Sequence, residues 1–138
     1  MTEHNELRAA LHSKDIAALW SALAKVSKCE GAPFLAEALL ADWHESHEDI
    51  VFELGLIGDP RTTESIARAV VTTFQYMVEW DNIHEFQRKC AYALARIGSA
   101  ESRVALENLA KHSDPYLRGA GEEGLEHWPL PYRKGEYA

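Results

Sequence analysis

Apolar residues recur along most of the chain with the three-to-four-residue spacing of helices that bury one face. Two stripes show the spacing most clearly, and they are Ile50, Val51, Leu54 and Ile57, and Cys90, Ala91, Leu94 and Ile97. No segment shows sustained alternation of apolar and polar residues between turn signals, so we predict no β-strand. The pattern predicts an all-α protein of about eight helices.

Residues that start and stop helices divide these stripes. Gly58 and Gly98 follow two of them, where a left-handed residue would end a helix. Ser46 and Asp49 have the spacing of a capping box at the start of a helix, and Ser99 is predicted to begin the helix that follows Gly98. The apolar positions after the first glycine continue long enough to predict a single helix over about 62–80. The predicted core residues are Leu54, Ile57, Ile66, Val70, Leu94, Ile97 and Leu106.

One short motif repeats along the chain. Residues 53–58 read ELGLIG and residues 93–98 read ALARIG, with weaker copies at 22–27 and 124–129. The β-branched or aromatic position of the motif is spaced by 31, 40 and 31 residues, at Val26, Ile57, Ile97 and Trp128. A unit of 31 residues with one insertion of nine explains these intervals. The predicted units are 15–45, 46–82, 83–112 and 113–128, followed by an extended tail over 129–138.

The motif resembles the HEAT-like repeat family in its short bacterial form. The residues that match the first helix of that family are Ile50, Leu54, Gly55, Ile57, Gly58, Asp59 and Pro60, and again Ala93, Leu94, Ile97 and Gly98. Glu53 departs from the family's small residue. The resemblance implies a single domain over 1–138, built as a right-handed α-α superhelix of helical pairs. Proteins of this kind serve as scaffolds, assembly factors, inhibitors and occasionally enzymes.

The net charge and the composition of the chain argue against several classes of binding partner. The 138 residues carry 22 acidic and 14 basic side chains, a formal net charge of -8. This excess of acids argues against binding to duplex nucleic acid or to an anionic membrane surface. Only two cysteines are present, and the start of the chain is polar, which predicts a cytoplasmic protein with reduced thiols.

A candidate partner-binding surface combines acids with aromatic residues. Residues 29–60 hold eight acids and no Lys or Arg, and Glu37, Asp42, Glu45 and Glu53 have no evident structural role. Aromatic side chains at the end of the predicted long helix would supply binding energy beside them. The predicted partner-binding residues are Asp42, Trp43, Glu45, Arg68, Gln75, Tyr76, Glu79 and Trp80. We expect a protein partner with a basic surface.

Histidines raise the alternative of a metal site. His44, His47 and His84 each precede a glutamate, and some HEAT-like enzymes hold iron with His-Glu dyads. The spacing of these pairs from the repeat motif differs from that of the family's dyads. We therefore expect these histidines to be ordinary solvated loop residues, and we expect no bound metal and no cofactor.

The sequence therefore predicts a non-catalytic protein-protein interaction module, such as a toxin-neutralising immunity protein or a small adaptor. The alternative is a metal-dependent or tetrapyrrole-handling HEAT-repeat enzyme.

Overall fold

The computed structural model describes the backbone of residues 2–130 and the side chains of residues 4–130. The nine α-helices of this part are α1 (Thr2–Ser13), α2 (Ile16–Leu23), α3 (Lys28–Leu39), α4 (His47–Ile57), α5 (Thr63–Val70), α6 (Gln75–Glu79), α7 (Ile83–Ile97), α8 (Ala100–Ala110) and α9 (Pro115–His127). A 3-10 turn at Pro60–Thr62 precedes α5, and this part of the chain contains no strand. The prediction of an all-α protein is confirmed. Most of the predicted tail, residues 131–138, lies outside the described residues.

Helix ends follow the local chemistry of the chain at most positions. Gly58 and Gly98 end α4 and α7 in the left-handed conformation, with φ of 68° and 65°. The hydroxyl of Ser99 caps α8, as expected. The capping box predicted at Ser46 is wrong, because its hydroxyl caps nothing and its backbone N–H instead donates to Nδ1 of His44.

The single long helix predicted over 62–80 is also wrong. The chain leaves the helical conformation at 71–74 and divides the segment into α5 and α6. The sequence there is VTTF, four residues that lose side-chain freedom in a helix. The hydroxyl of Thr72 donates to the carbonyl of Arg68, and Phe74 adopts an extended conformation with its side chain buried.

Most of the longer helices pack against helices that are not their direct neighbours in sequence. Helices α4, α7 and α9 contact one another in succession, and α3, α5 and α8 do the same. The predicted core residues that are fully buried are Leu54, Ile66, Val70, Leu94 and Leu106. Ile57, Ile97, Trp20 and Trp128 are partly buried against this core. Val71 and Val104, which the helical pattern places on apolar stripes, are instead exposed.

Truncation of a core leucine in α7 should be costly. Leu94 is completely buried, so we expect Leu94→Ala to lower the free energy of unfolding by about 3 kcal/mol. The matched control is Val104→Ala in α8, where the side chain is half exposed and the loss should stay below about 0.5 kcal/mol. Urea denaturation of both variants measures the difference. Equal losses would show that the buried faces of these helices are assigned incorrectly.

Candidate functional site

An open cavity of about 1040 Å³ lies between the loop joining α3 to α4 and the segment joining α5 to α6. We call it the Trp43–Tyr76 cavity. Its lining residues are Leu40, Ala41, Asp42, Trp43, His44, Glu45, His47, Thr72, Thr73, Phe74, Gln75 and Tyr76. The interruption of the predicted long helix thus forms one wall of the cavity.

The floor of the cavity is a row of packed rings. His47 is fully buried and stacks on Phe74 at a centroid distance of 3.9 Å and on His44 at 4.2 Å. Trp43 meets His44 edge-on at 4.9 Å. The expectation that these two histidines are solvated loop residues is wrong, because both side chains are buried and His47 is the first residue of α4.

Hydrogen bonds fix the protonation of both imidazoles. Nε2 of His44 lies 2.7 Å from the carbonyl of Ala38, and Nε2 of His47 lies 2.6 Å from the carbonyl of Ala41. Since a carbonyl only accepts, each Nε2 carries the proton. Nδ1 of His47 then accepts from the Tyr76 hydroxyl at 2.8 Å. Both rings are neutral, and every ring nitrogen has a partner.

Burial and charge shift the pKa values at this site. Burial lowers the pKa of His47 from 6.5 to about 4 and also lowers the pKa of His44, because it penalises the charged imidazolium. Burial raises the pKa of Tyr76 to about 12, and the negative charges of Glu48 and Glu45 act in the same direction. The phenol therefore stays protonated and able to donate to His47 at neutral pH.

Stability should decrease in mild acid because of His47. Its pKa in the folded protein, about 4, lies below the ordinary value of 6.5, so the unfolded chain binds the proton first. The stabilisation is complete above pH 6.5 and is lost as the pH falls towards 4. We expect a loss of about 2 kcal/mol across this window, less than the full shift would give because the ring borders an open cavity. Chemical denaturation at several pH values measures the slope, and His47→Gln should flatten it.

Aromatic surface continues beyond the cavity rim. The ring of Tyr76 meets that of Trp80 edge-on at 5.0 Å. Trp80 directly follows α6 as its C-cap residue, and its side chain is 59% exposed. This is a large exposed fraction for an apolar side chain of this size. A continuous line of rings therefore runs from the buried histidines to solvent.

The acids of the 29–60 stretch divide into paired and unpaired groups. Glu37 binds Arg8 at 3.0 Å and Glu53 binds Lys28 at 3.3 Å, so the expectation that these two lack a structural role is wrong. Asp42 and Glu45 are exposed and form no ion pair with any residue of 4–130. Within this part of the chain, no basic side chain neutralises their negative charge at the cavity rim.

The structure brings together most of the predicted partner-binding residues. Those that line the cavity are Asp42, Trp43, Glu45, Gln75 and Tyr76. Trp80 adjoins it through Tyr76, whereas Arg68 and Glu79 are exposed on α5 and α6 and do not line it.

Sequence reasoning missed several lining residues, which are His44, His47, Thr72 and Thr73. The run VTTF carried a usable signal, since four such residues together rarely continue a helix. For the two histidines no local signal existed. Phe74 and Phe86 pack against His47 from other parts of the chain, and His44 in turn stacks on His47.

Metal-ligating side chains do not converge in the described part of the chain. Residues 4–130 contain no group of three or more His, Cys, Asp or Glu placed to hold a metal ion.

The remaining histidine of the His-Glu pairs and the two cysteines lie outside the cavity. The His84 ring stacks on Tyr116 at a centroid distance of 3.6 Å. Cys90 is buried, which raises the pKa of its thiol well above the ordinary value, while Cys29 is exposed.

Compared with protein-family models, curated proteins and solved structures, the chain gives no match. Within the described residues, no helix combines the length and apolar character needed to span a bilayer.

Proposed function

We propose that this chain is a non-catalytic protein-binding module that binds a partner with a basic surface through the Trp43–Tyr76 cavity and its rim. The role we propose is that of a small inhibitor or adaptor, as in toxin-neutralising immunity proteins. The helical pairs would form a right-handed superhelix of the HEAT-like kind.

One observation carries the proposal: among the described residues, the charged side chains lining the cavity are Asp42 and Glu45, which form no ion pair within 4–130 and stand beside the half-buried rings of Trp43 and Tyr76. The histidines in the lining are neutral at pH 7, because their pKa values are lowered by burial. An interface with a basic protein is expected to combine two kinds of residue. Apolar rings become buried on binding, and acidic side chains attract the positive charges of the partner.

The helix packing supports the repeat architecture. Helices α4, α7 and α9 each carry a copy of the motif and contact one another in succession, as the equivalent helices of neighbouring repeats do. Helices α3, α5 and α8 form a second series of contacts. The Trp43–Tyr76 cavity lies between the α3–α4 and α5–α6 connections, which belong to consecutive units of the proposed repeat.

The two kinds of residue would contribute differently to binding. Tyr76 and Trp80 would supply the desolvated centre, since aromatic side chains dominate binding energy when they are covered by a partner. Asp42 and Glu45 at the rim would mainly raise the association rate and select for basic partners.

Reversal of the rim charge tests the proposal. We expect the tagged wild-type chain to capture a basic protein from a lysate, and the Asp42→Lys/Glu45→Lys variant to lose it. The matched control is Glu122→Lys/Glu126→Lys, which makes the same change in net charge on exposed positions of α9 and should retain the partner. With the captured partner, association of the first variant should be at least about tenfold slower at low salt and less dependent on salt.

Trp80→Ala provides an independent measurement on the same complex, since loss of an aromatic anchor should act mainly on dissociation. Circular dichroism and thermal unfolding would establish that each variant remains folded. The proposal is overturned if the folded rim variant captures the same proteins as the wild type with unchanged rates.

A further inference from the structure

We infer that the Trp43–Tyr76 cavity receives an arginine side chain of the partner, held between the aromatic rings and the carboxylates of Asp42 and Glu45. This inference rests on the proposed function and adds the chemical identity of the group that enters the cavity.

The charges of the side chains that line the cavity favour a positively charged ligand. Among the described residues that line it, Asp42 and Glu45 are the charged side chains at neutral pH, and none is Lys or Arg. An anionic group would be repelled, and a purely apolar segment would leave both carboxylates to lose water without compensation. A positively charged side chain avoids both penalties.

The same molecule uses the pairing of ring and carboxylate twice to hold its own arginines. Arg8 lies over the Phe34 ring at 4.9 Å and binds Glu37 at 3.0 Å. Arg88 lies over the Tyr92 ring at 5.3 Å and binds Glu123 at 2.7 Å.

The cavity offers the same two elements, aromatic rings with adjacent carboxylates. The arginines that lie over rings within residues 4–130 are Arg8, Arg88 and Arg103, and none of them is a lining residue of the cavity. We therefore assign the arginine that this combination of groups would hold to the partner.

Arginine fits this environment better than lysine. Its guanidinium is flat and weakly hydrated, so it can lie on a ring while its edge donates to a carboxylate, whereas an ammonium gives up more hydration to do so. The lysines of the described residues that form ion pairs bind carboxylates without a ring, as Lys28 does with Glu53. All the cation-over-ring contacts of this part of the chain involve arginine.

The cavity is organised before the ligand arrives. The hydrogen bonds from His44 to Ala38 and from His47 to Ala41 fix the loop that carries Trp43, and the Tyr76 hydroxyl is fixed by His47. An entering guanidinium therefore meets rings and backbone that need little further ordering, which lowers the cost of binding.

Short peptides test the inference on the full chain without the partner. The probe is acetyl-Gly-Arg-Gly-amide, compared with otherwise identical peptides that contain lysine, trimethyl-lysine or the neutral isostere citrulline. Binding is followed by the indole N–H resonance of Trp43 in two-dimensional NMR, with its assignment confirmed by Trp43→Phe. We expect saturable binding of the arginine peptide, with the citrulline peptide weaker by at least about tenfold.

Neutral variants locate the binding site. Asp42→Asn/Glu45→Gln should weaken binding of the arginine peptide at least about tenfold, and Glu122→Gln/Glu126→Gln, which removes the same charge from α9, should not. Equal binding of the citrulline peptide would overturn the need for a cation. Equal or tighter binding of the lysine or trimethyl-lysine peptide would overturn the choice of arginine.

Failure of this inference differs from failure of the proposed function. If no arginine peptide binds while the Asp42→Lys/Glu45→Lys variant still loses the captured partner, the surface binds a protein but the arginine anchor is wrong. If the arginine peptide binds and the variant retains the partner, the anchor site exists but the proposed interface is wrong.

Discussion

Gly121→Ala should destabilise the protein by about 4 kcal/mol, whereas Gly119→Ala, two residues earlier in α9, should stabilise it by about 1 kcal/mol. The two substitutions add the same methyl group to the same helix. Alanine also has the higher intrinsic helix propensity at both positions. The opposite signs come entirely from what the methyl group meets.

At position 121 the added Cβ would overlap the backbone nitrogen of Ala110 and would lie 2.7 Å from Cβ of Leu109. These atoms belong to the end of α8, and a backbone cannot rotate away as a long side chain can. The helices must separate, which loses packing along their whole contact. At position 119 no atom lies within 4 Å of the added Cβ, so only the gain in helix propensity remains.

Guanidinium denaturation of the two variants beside the wild type measures both free energies. A Gly121→Ala protein as stable as the wild type would show that α8 and α9 do not approach this closely.

From sequence alone, the glycines of α9 predict only a weakly stable helix. The structure shows instead that Gly121 and Gly124 are sites of close approach between helices.

Features set by neighbouring residues were predictable from the sequence. Gly58 and Gly98 end their helices as expected, because a left-handed residue after an apolar stripe is a local requirement. The hydroxyl of Ser99 likewise caps the helix that follows it. The buried positions Leu54 and Leu94 followed from helical spacing, which relates residues only a few positions apart.

Features set by distant residues were not predictable in this way. The ion pairs of Glu37 with Arg8 and of Glu53 with Lys28 join residues 29 and 25 positions apart. The acids and aromatic residues of the candidate site were identified by type, but their meeting at one cavity depends on the non-helical segment 71–74. That segment was missed because the apolar spacing continues through it and outweighed the signal of the VTTF run.

His47→Ala should lower the free energy of unfolding by about 4 kcal/mol, as truncation of a fully buried ring does in a well-packed core. The change removes stacking on Phe74 and His44. It also leaves the carbonyl of Ala41 and the hydroxyl of Tyr76 without their partner, and a buried polar group without a hydrogen bond is costly.

His84→Ala is the matched control for this prediction. The His84 ring also stacks on an aromatic residue, Tyr116, but both side chains are exposed, so the loss should stay below about 1 kcal/mol. Chemical denaturation compares the two variants, and near-ultraviolet circular dichroism reports on the environment of Trp43. If His47→Ala costs no more than His84→Ala, the row of rings does not hold the cavity together. Since the loop carrying Asp42 and Glu45 is fixed through this imidazole, a folded His47→Ala protein should also bind the arginine peptide more weakly.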